Sequence, residues 1–149
     1  MKPEKYTQLL KEAAALLQDE SDLTASLANV SALLKMHFNF WWVGFYLVKN
    51  NELVLGPFQG PVACTRIAYG KGVCGTAWKE KASIVVPDVH EFPGHIACSA
   101  ASNSELVVPV LRNGEVLAVL DIDSTEFSHF DDVDRENCER LCAMLSVLF

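Results

Sequence analysis

The chain has 149 residues, 50% of them hydrophobic and 21% charged, with a formal net charge of -7 and a pI near 5.0. That length suits one domain with a core of its own, and the acidic balance argues against nucleic acid or an anionic membrane surface as partners, since both need a basic face. The charged opening Met1-Lys-Pro-Glu-Lys-Tyr6 reads as no export signal, and no apolar run approaches the roughly 20 residues that span a bilayer, so a cytoplasmic location is expected.

Residues 3–18 are predicted helical, with Pro3 near the first turn and Tyr6, Leu9, Leu10, Ala13 and Leu17 at helical spacing. A second helix starts at Asp22, a ready N-cap, and carries Leu23, Leu27, Val30, Leu33 and Leu34 to about His37. The pattern then turns β-branched and aromatic over 40–48. Asn50-Asn51 turns it back through Glu52–Phe58, which makes a hairpin. Residues 57–104 are loop-rich, with a short helix expected around Gly75–Lys81 and a short strand at Ser83–Val86. A segment of that length usually holds the site. A second hairpin follows, Glu105–Leu111 and Glu115–Ile122 around Asn113-Gly114, and a last helix begins at Asp131. The order predicts a single α+β domain over 1–149: a central antiparallel sheet with the N- and C-terminal helices packed on one face.

Five cysteines fall into two groups. Cys138 and Cys142 are four apart on the last helix, among Leu141, Leu145 and Leu148, and read as core. Cys64, Cys74 and Cys98 instead sit among glycines, alanines and serines. Three reachable thiols can attack, resolve and relay a disulfide. In a reducing compartment such a disulfide is transient. Gly70-Lys-Gly-Val-Cys-Gly75 matches the dinucleotide pattern G-x-G-x-x-G, but only about seven residues remain before Ser83, too few for a crossover helix. It reads as a tight turn into a short helix whose N-terminus would lower the pKa of Cys74.

Asp121 and Asp123 end one strand on a shared face, and Glu105 opens its hairpin partner, so the three converge at the hairpin's open end. Three carboxylates there repel one another unless a cation intervenes: a metal, a lysine or a substrate ammonium. A solvated strand end is the plain alternative. His90 and His95 flank Phe92-Pro93-Gly94, where they are either hydrogen-bonded loop residues or, with Cys98, half of a zinc site. His37 and His129 offer nothing beyond the first of these.

Several stretches, in order and at the expected spacing, resemble one family. They are Trp42-Val-Gly-Phe-Tyr46, Leu55-Gly-Pro-Phe-Gln-Gly60, Ala63-Cys64, Gly70–Thr76, Asp88-Val-His90, Gly94-His-Ile-Ala-Cys98, Ala101-Ser-Asn-Ser-Glu105 and Leu120-Asp-Ile-Asp-Ser124. They are similar to the free methionine-(R)-sulfoxide reductases, small enzymes built on a GAF domain. The resemblance covers about residues 20–148. It implies that Cys98 attacks, that Cys64 resolves it as a disulfide, and that Cys74 has a secondary role in recycling. It further implies that Glu105, Asp121 and Asp123 hold free methionine sulfoxide, with Trp42 and Tyr46 as the aromatic part of the substrate site. Preference for the R isomer comes from the resemblance alone.

Chemistry adds roles to these residues. A thiolate attacks a sulfoxide sulfur once its oxygen is protonated; Glu105 is the expected donor, with Asp121 and Asp123 gripping the ammonium. No flavin, nicotinamide or metal site is visible, so no cofactor is expected and recycling falls to an external dithiol such as thioredoxin. A homodimer is left open. Two other classes remain: a non-catalytic GAF-type sensor of a small ligand or redox state, and a structural zinc protein using Cys98 and the loop histidines. A sensor would normally be joined to an output domain.

Overall fold

The computed structural model describes residues 1–95 and 100–149; Ile96–Ser99, and with them Cys98, lie outside the described residues. Two helices, α1 (Lys2–Leu17) and α2 (Leu23–Phe38), open the chain. Pro3 stands in the first turn of α1, where its missing N–H costs nothing. Asp22 caps α2, its carboxylate accepting from the Ala25 N–H at 2.8 Å, and Asn39 ends that helix in the left-handed region. Strands β1 (Trp42–Lys49) and β2 (Glu52–Gln59) follow as a hairpin whose turn residues Asn50 and Asn51 both have positive φ.

The second hairpin, β5 (Ser104–Arg112) and β6 (Glu115–Ser124), turns at Asn113-Gly114 in the same way. Helix α4 (Asp132–Ser146) closes the chain, with a capping box between Asp131 and Asp134. The loop-rich middle holds β3 (Arg66–Ala68), α3 (Gly72–Glu80), β4 (Ile84–Val86) and a 3-10 turn at Val89–Glu91. β3 and the 3-10 turn carry no periodic signal, because each is three residues long and buries one side chain, Ile67 or Val89. Helix α3 begins three residues before the expected Gly75, since Gly70 and Gly72 take positive φ and swing the chain straight into it.

The six strands form one antiparallel sheet in the order β3-β2-β1-β6-β5-β4. One face, with Val43, Phe45, Leu106, Val108, Leu120 and Ile122, packs under α1, α2 and α4. This is the predicted placement of the terminal helices. Cys138 and Cys142 are buried in that layer, where desolvation raises both thiols, Cys138 to about 12, as expected of core residues. The opposite face packs only against α3 and the middle loops, and so leaves room for a cleft. No helix among the described residues is long and apolar enough to cross a membrane.

The helical layer is latched by a buried carboxylate. Asp134 accepts from Tyr6 Oη at 2.6 Å, Lys2 Nζ at 2.7 Å and the Asp131 N–H at 2.9 Å, which ties α1 to the start of α4. Tyr6→Phe removes one donor from this buried anion and is expected to cost about 1–3 kcal/mol in denaturant unfolding, with the cleft on the other face unaffected. A change within error would show that the latch contributes no net stability.

Candidate active site

Period-two alternation along three central strands builds the cleft. Trp42, Gly44 and Tyr46 on β1, Asp121 and Asp123 on β6, and Glu105 and Val107 on β5 share the face away from the terminal helices. Register does the rest: Asp123 pairs with both Trp42 and Glu105, and Asp121 pairs with Gly44 and Val107. The three acids therefore converge as the hairpin predicted, and they are no solvated strand end. Glu105 and Asp121 are each 6% exposed. They line an open cleft together with Trp41, Val62 and Ala63.

Helix α3 closes one wall and brings Cys74 onto the acids. Its thiol donates toward Glu105 Oε2 at 4.0 Å and also faces Asp121. The helix packs close to β3 because Gly75 has no side chain; a Cβ there would lie 2.5 Å from the Ala68 carbonyl oxygen. The glycine run thus serves close packing beside an antiparallel sheet, which is a different geometry from a dinucleotide fold.

Cys74 departs from expectation. It was predicted to be reachable and to have a lowered pKa, yet it is 4% exposed and its thiol is held well above the usual range. Desolvation is the main cause, followed by the charges of Asp121 and Glu105. Together they outweigh the helix N-terminus. Cys64 lies half-buried in the loop after β2 and is disulfide-bonded, whereas Cys74, Cys138 and Cys142 are free thiols.

A proton donor at Glu105 needs a carboxyl raised by its crowded neighbours, and burial adds to that crowding. Burial pushes Glu105 and Asp123 well above the ordinary carboxyl range, and the charge of Asp121 adds to both. Burial raises Asp121 too, but hydrogen bonds from Glu105, Cys74 and Asp123 oppose it. Each of the three shifts favours the proton-holding form, most strongly at Glu105 and Asp123. Ligand atoms of Cys74, Glu105 and Asp121 lie within 4.8 Å of one another, a spacing that suits shared protons or a cation alike. Asp121 Oδ1 is buried with no hydrogen-bond partner, an acceptor aimed at whatever enters the cleft.

Two aromatic side chains of β1 fix the Cys64 loop. Trp42 Nε1 donates to the Pro61 carbonyl at 3.0 Å, and Tyr46 Oη donates to the Cys64 carbonyl at 2.9 Å. Trp42 stacks between Phe58 and Tyr46, with centroids at 5.1 and 6.0 Å.

The GAF domain family matches residues 20–148. The chain is 48% identical to the free methionine-R-sulfoxide reductase of Escherichia coli strain K12, over 97% of this chain and 88% of that one. It superposes with a TM-score of 0.98 on the X-ray structure of the free methionine-R-sulfoxide reductase from Neisseria meningitidis in complex with its substrate. There the identity is 46%, covering 100% of this chain and 90% of that one. The chain belongs to the GAF-domain free methionine-R-sulfoxide reductases. It is also 52% identical to GAF domain-containing protein A of Dictyostelium discoideum, over 97% of this chain and 92% of that one.

Within this reductase fold, His95 and Lys71 also line the cleft, and Ser102 Oγ donates to Asp123 Oδ1 at 3.3 Å. Burial is the main reason that His95 is lowered, which favours the neutral imidazole. No spacing signal marked Ser102 or Lys71, because each comes from a loop whose path the sequence does not state. His90 is a hydrogen-bonded loop residue, its Nδ1 2.8 Å from Asp88 Oδ1. His37 pairs with Glu12 and His129 with Ser124, away from the cleft.

The raised Glu105 makes a signed prediction about stability. The unfolded chain loses this proton near pH 4.5 while the folded chain keeps it, so the folded state binds more protons and stability falls as pH rises from there. Glu105→Gln removes that slope. Its melting temperature relative to wild type should climb steadily from pH 4.5 towards neutrality. A difference that stays flat would show that Glu105 ionises normally.

Proposed function

We propose that this chain reduces free L-methionine (R)-sulfoxide to methionine, with Cys98 as the attacking thiolate and Cys64 as the resolving thiol. The observation that carries this reading is a pair of carboxyls, Glu105 and Asp123, held above the ordinary range by desolvation at the floor of a small cleft beneath the Cys64 loop; the reading assigns them the neutral, donating form. A sulfoxide is a dipole with a basic oxygen, and its sulfur becomes electrophilic only when that oxygen is hydrogen-bonded or protonated. Neutral carboxyls donate, whereas carboxylates would repel.

Glu105 gives its proton to the sulfoxide oxygen as the Cys98 thiolate attacks the sulfur. The S–S bond so formed and the substrate S–O bond then break as the oxygen passes to Cys98 as a sulfenic acid; the substrate sulfur keeps two more electrons and leaves as the thioether of methionine. Cys64 then attacks the sulfenic sulfur, an S–S bond forms, the S–O bond breaks, and hydroxide leaves with the Cys64 proton as water. The disulfide-bonded state of Cys64 supports this role. An external dithiol of the thioredoxin type returns both thiols, which implies a reducing compartment such as the cytoplasm. Cys74 stays off this route, since its buried thiol serves the acids as a donor.

Asp121, whose buried Oδ1 has no hydrogen-bond partner, accepts the substrate's α-ammonium, while the indole of Trp42 flanks the sulfoxide end. That assignment narrows the expected grip of two aspartates to one. A peptide offers a neutral amide in place of the ammonium and would leave Asp121 buried without a cation. N-acetylated methionine sulfoxide should therefore be used at least about 30-fold less efficiently than the free amino acid, as loss of a charge-assisted contact of about 2 kcal/mol or more implies. Equal efficiency would remove the ammonium from the account.

Cysteine variants test the reaction itself. Without reductant, Cys64→Ser is expected to release about one methionine per enzyme, and Cys98→Ser none. Glu105→Gln should lower kcat/KM by about 10²–10⁴. Full multiple turnover by Cys98→Ser would overturn the assignment of the nucleophile. Binding of the sulfoxide without any release of methionine would move the chain to the sensor class.

A further inference from the structure

We infer that Tyr46 is a positioning residue for the disulfide-forming step: its hydroxyl holds the Cys64 carbonyl and so presents the Cys64 thiol to the sulfenic acid. The inference rests on the proposed roles of Cys64 and Cys98. It differs from the substrate-binding role that the family resemblance attached to Tyr46.

The segment 61–64 lies between strands and has no regular secondary structure. Thr65 is tied at its own carbonyl by the Leu55 N–H at 3.0 Å. Upstream, the Pro61 and Cys64 carbonyls accept from the two β1 side chains, Trp42 Nε1 at 3.0 Å and Tyr46 Oη at 2.9 Å. Donors from one face of one strand thus catch both ends of the turn that carries the thiol.

The platform beneath is built to be stiff. Gly44, between the two donors, leaves space for Phe58 to cross the strand; a Cβ at Gly44 would lie 2.2 Å from Phe58 Cβ. Phe58 stacks on Trp42 at an interplanar angle of 15°. Gly60, at φ +143°, lets the chain leave β2 directly over the indole, where a Cβ would meet Trp42 Cδ1 at 2.6 Å. Tyr46 is 2% exposed, and burial together with the charge of Asp121 keeps it a phenol, so the donor persists throughout the cycle.

Closing the disulfide requires the Cys64 sulfur in line with the S–O bond of the sulfenic acid as S–S forms and water leaves. A thiol on an untethered turn samples that geometry less often. Tyr46→Phe removes the hydroxyl and keeps the ring that packs on Trp42.

Rapid-quench single turnover without reductant reads both steps, as methionine released and as thiol converted to disulfide. In Tyr46→Phe, the ratio of the resolving rate to the methionine-release rate should fall about three- to tenfold, the loss expected of one positioning hydrogen bond. The sulfenic acid should then last long enough to be trapped by a 1,3-diketone. An unchanged ratio, with both steps slowed together, would make Tyr46 a substrate-binding residue and overturn the inference. Gly60→Ala, which pushes the start of the loop off Trp42 without touching the acids, should lower the same ratio; a wild-type ratio there also counts against it. Hydrogen peroxide forms the sulfenic acid without sulfoxide and separates this test from the proposed function. If the Tyr46→Phe disulfide closes from there as fast as wild type, the inference fails whatever the sulfoxide assay shows.

Discussion

Glu105 and Asp123 face each other across the β5–β6 ladder, with Asp121 two residues along the same face; Glu105 and Asp121 are buried and Asp123 is half-buried. Water would let all three ionise. Desolvation instead favours the proton-holding forms, with the Cys74 thiol and the Ser102 hydroxyl as donors at the margins. Proton-holding carboxyls at neutral pH are what reduction of a sulfoxide asks for. The same desolvation that weakens the fold as pH rises gives the cleft its acid.

The two faces of the sheet divide the work. Beneath α1, α2 and α4 the sheet buries an aliphatic and aromatic layer, and the buried carboxylate of Asp134 there has three donors. The opposite face carries an incompletely satisfied carboxylate, a free buried thiol and a loop pinned by two side-chain hydrogen bonds. The well-packed helical half backs the sheet on which the crowded acids stand.

Much of this was legible in the sequence because the signals were local. Asp22 before an apolar helical stripe, the Asn50-Asn51 and Asn113-Gly114 turns, and the acidic start of α4 fixed the long elements to within a residue or two. The hairpin turn also brought Glu105 to Asp121 and Asp123. What escaped depended on distant neighbours. Helix α3 looked able to activate Cys74 because a helix N-terminus is visible in sequence, whereas the acids packed against its thiol come from strands more than 30 residues away. Tyr46 could be read as a cleft aromatic, but its carbonyl partner at Cys64 is a matter of loop path. The short β3 and the position of Ser102 had no periodic pattern to announce them.

The protonation of Glu105 and Asp123 can be observed directly by infrared spectroscopy of the substrate-free protein at neutral pH. Site-selective isotope labelling of glutamate and then of aspartate carboxyls separates the two. The account predicts a protonated-carboxyl stretch that moves with each label, with the glutamate component absent in Glu105→Gln. Carboxylate bands alone, with no protonated acid at neutral pH under either label, would contradict it.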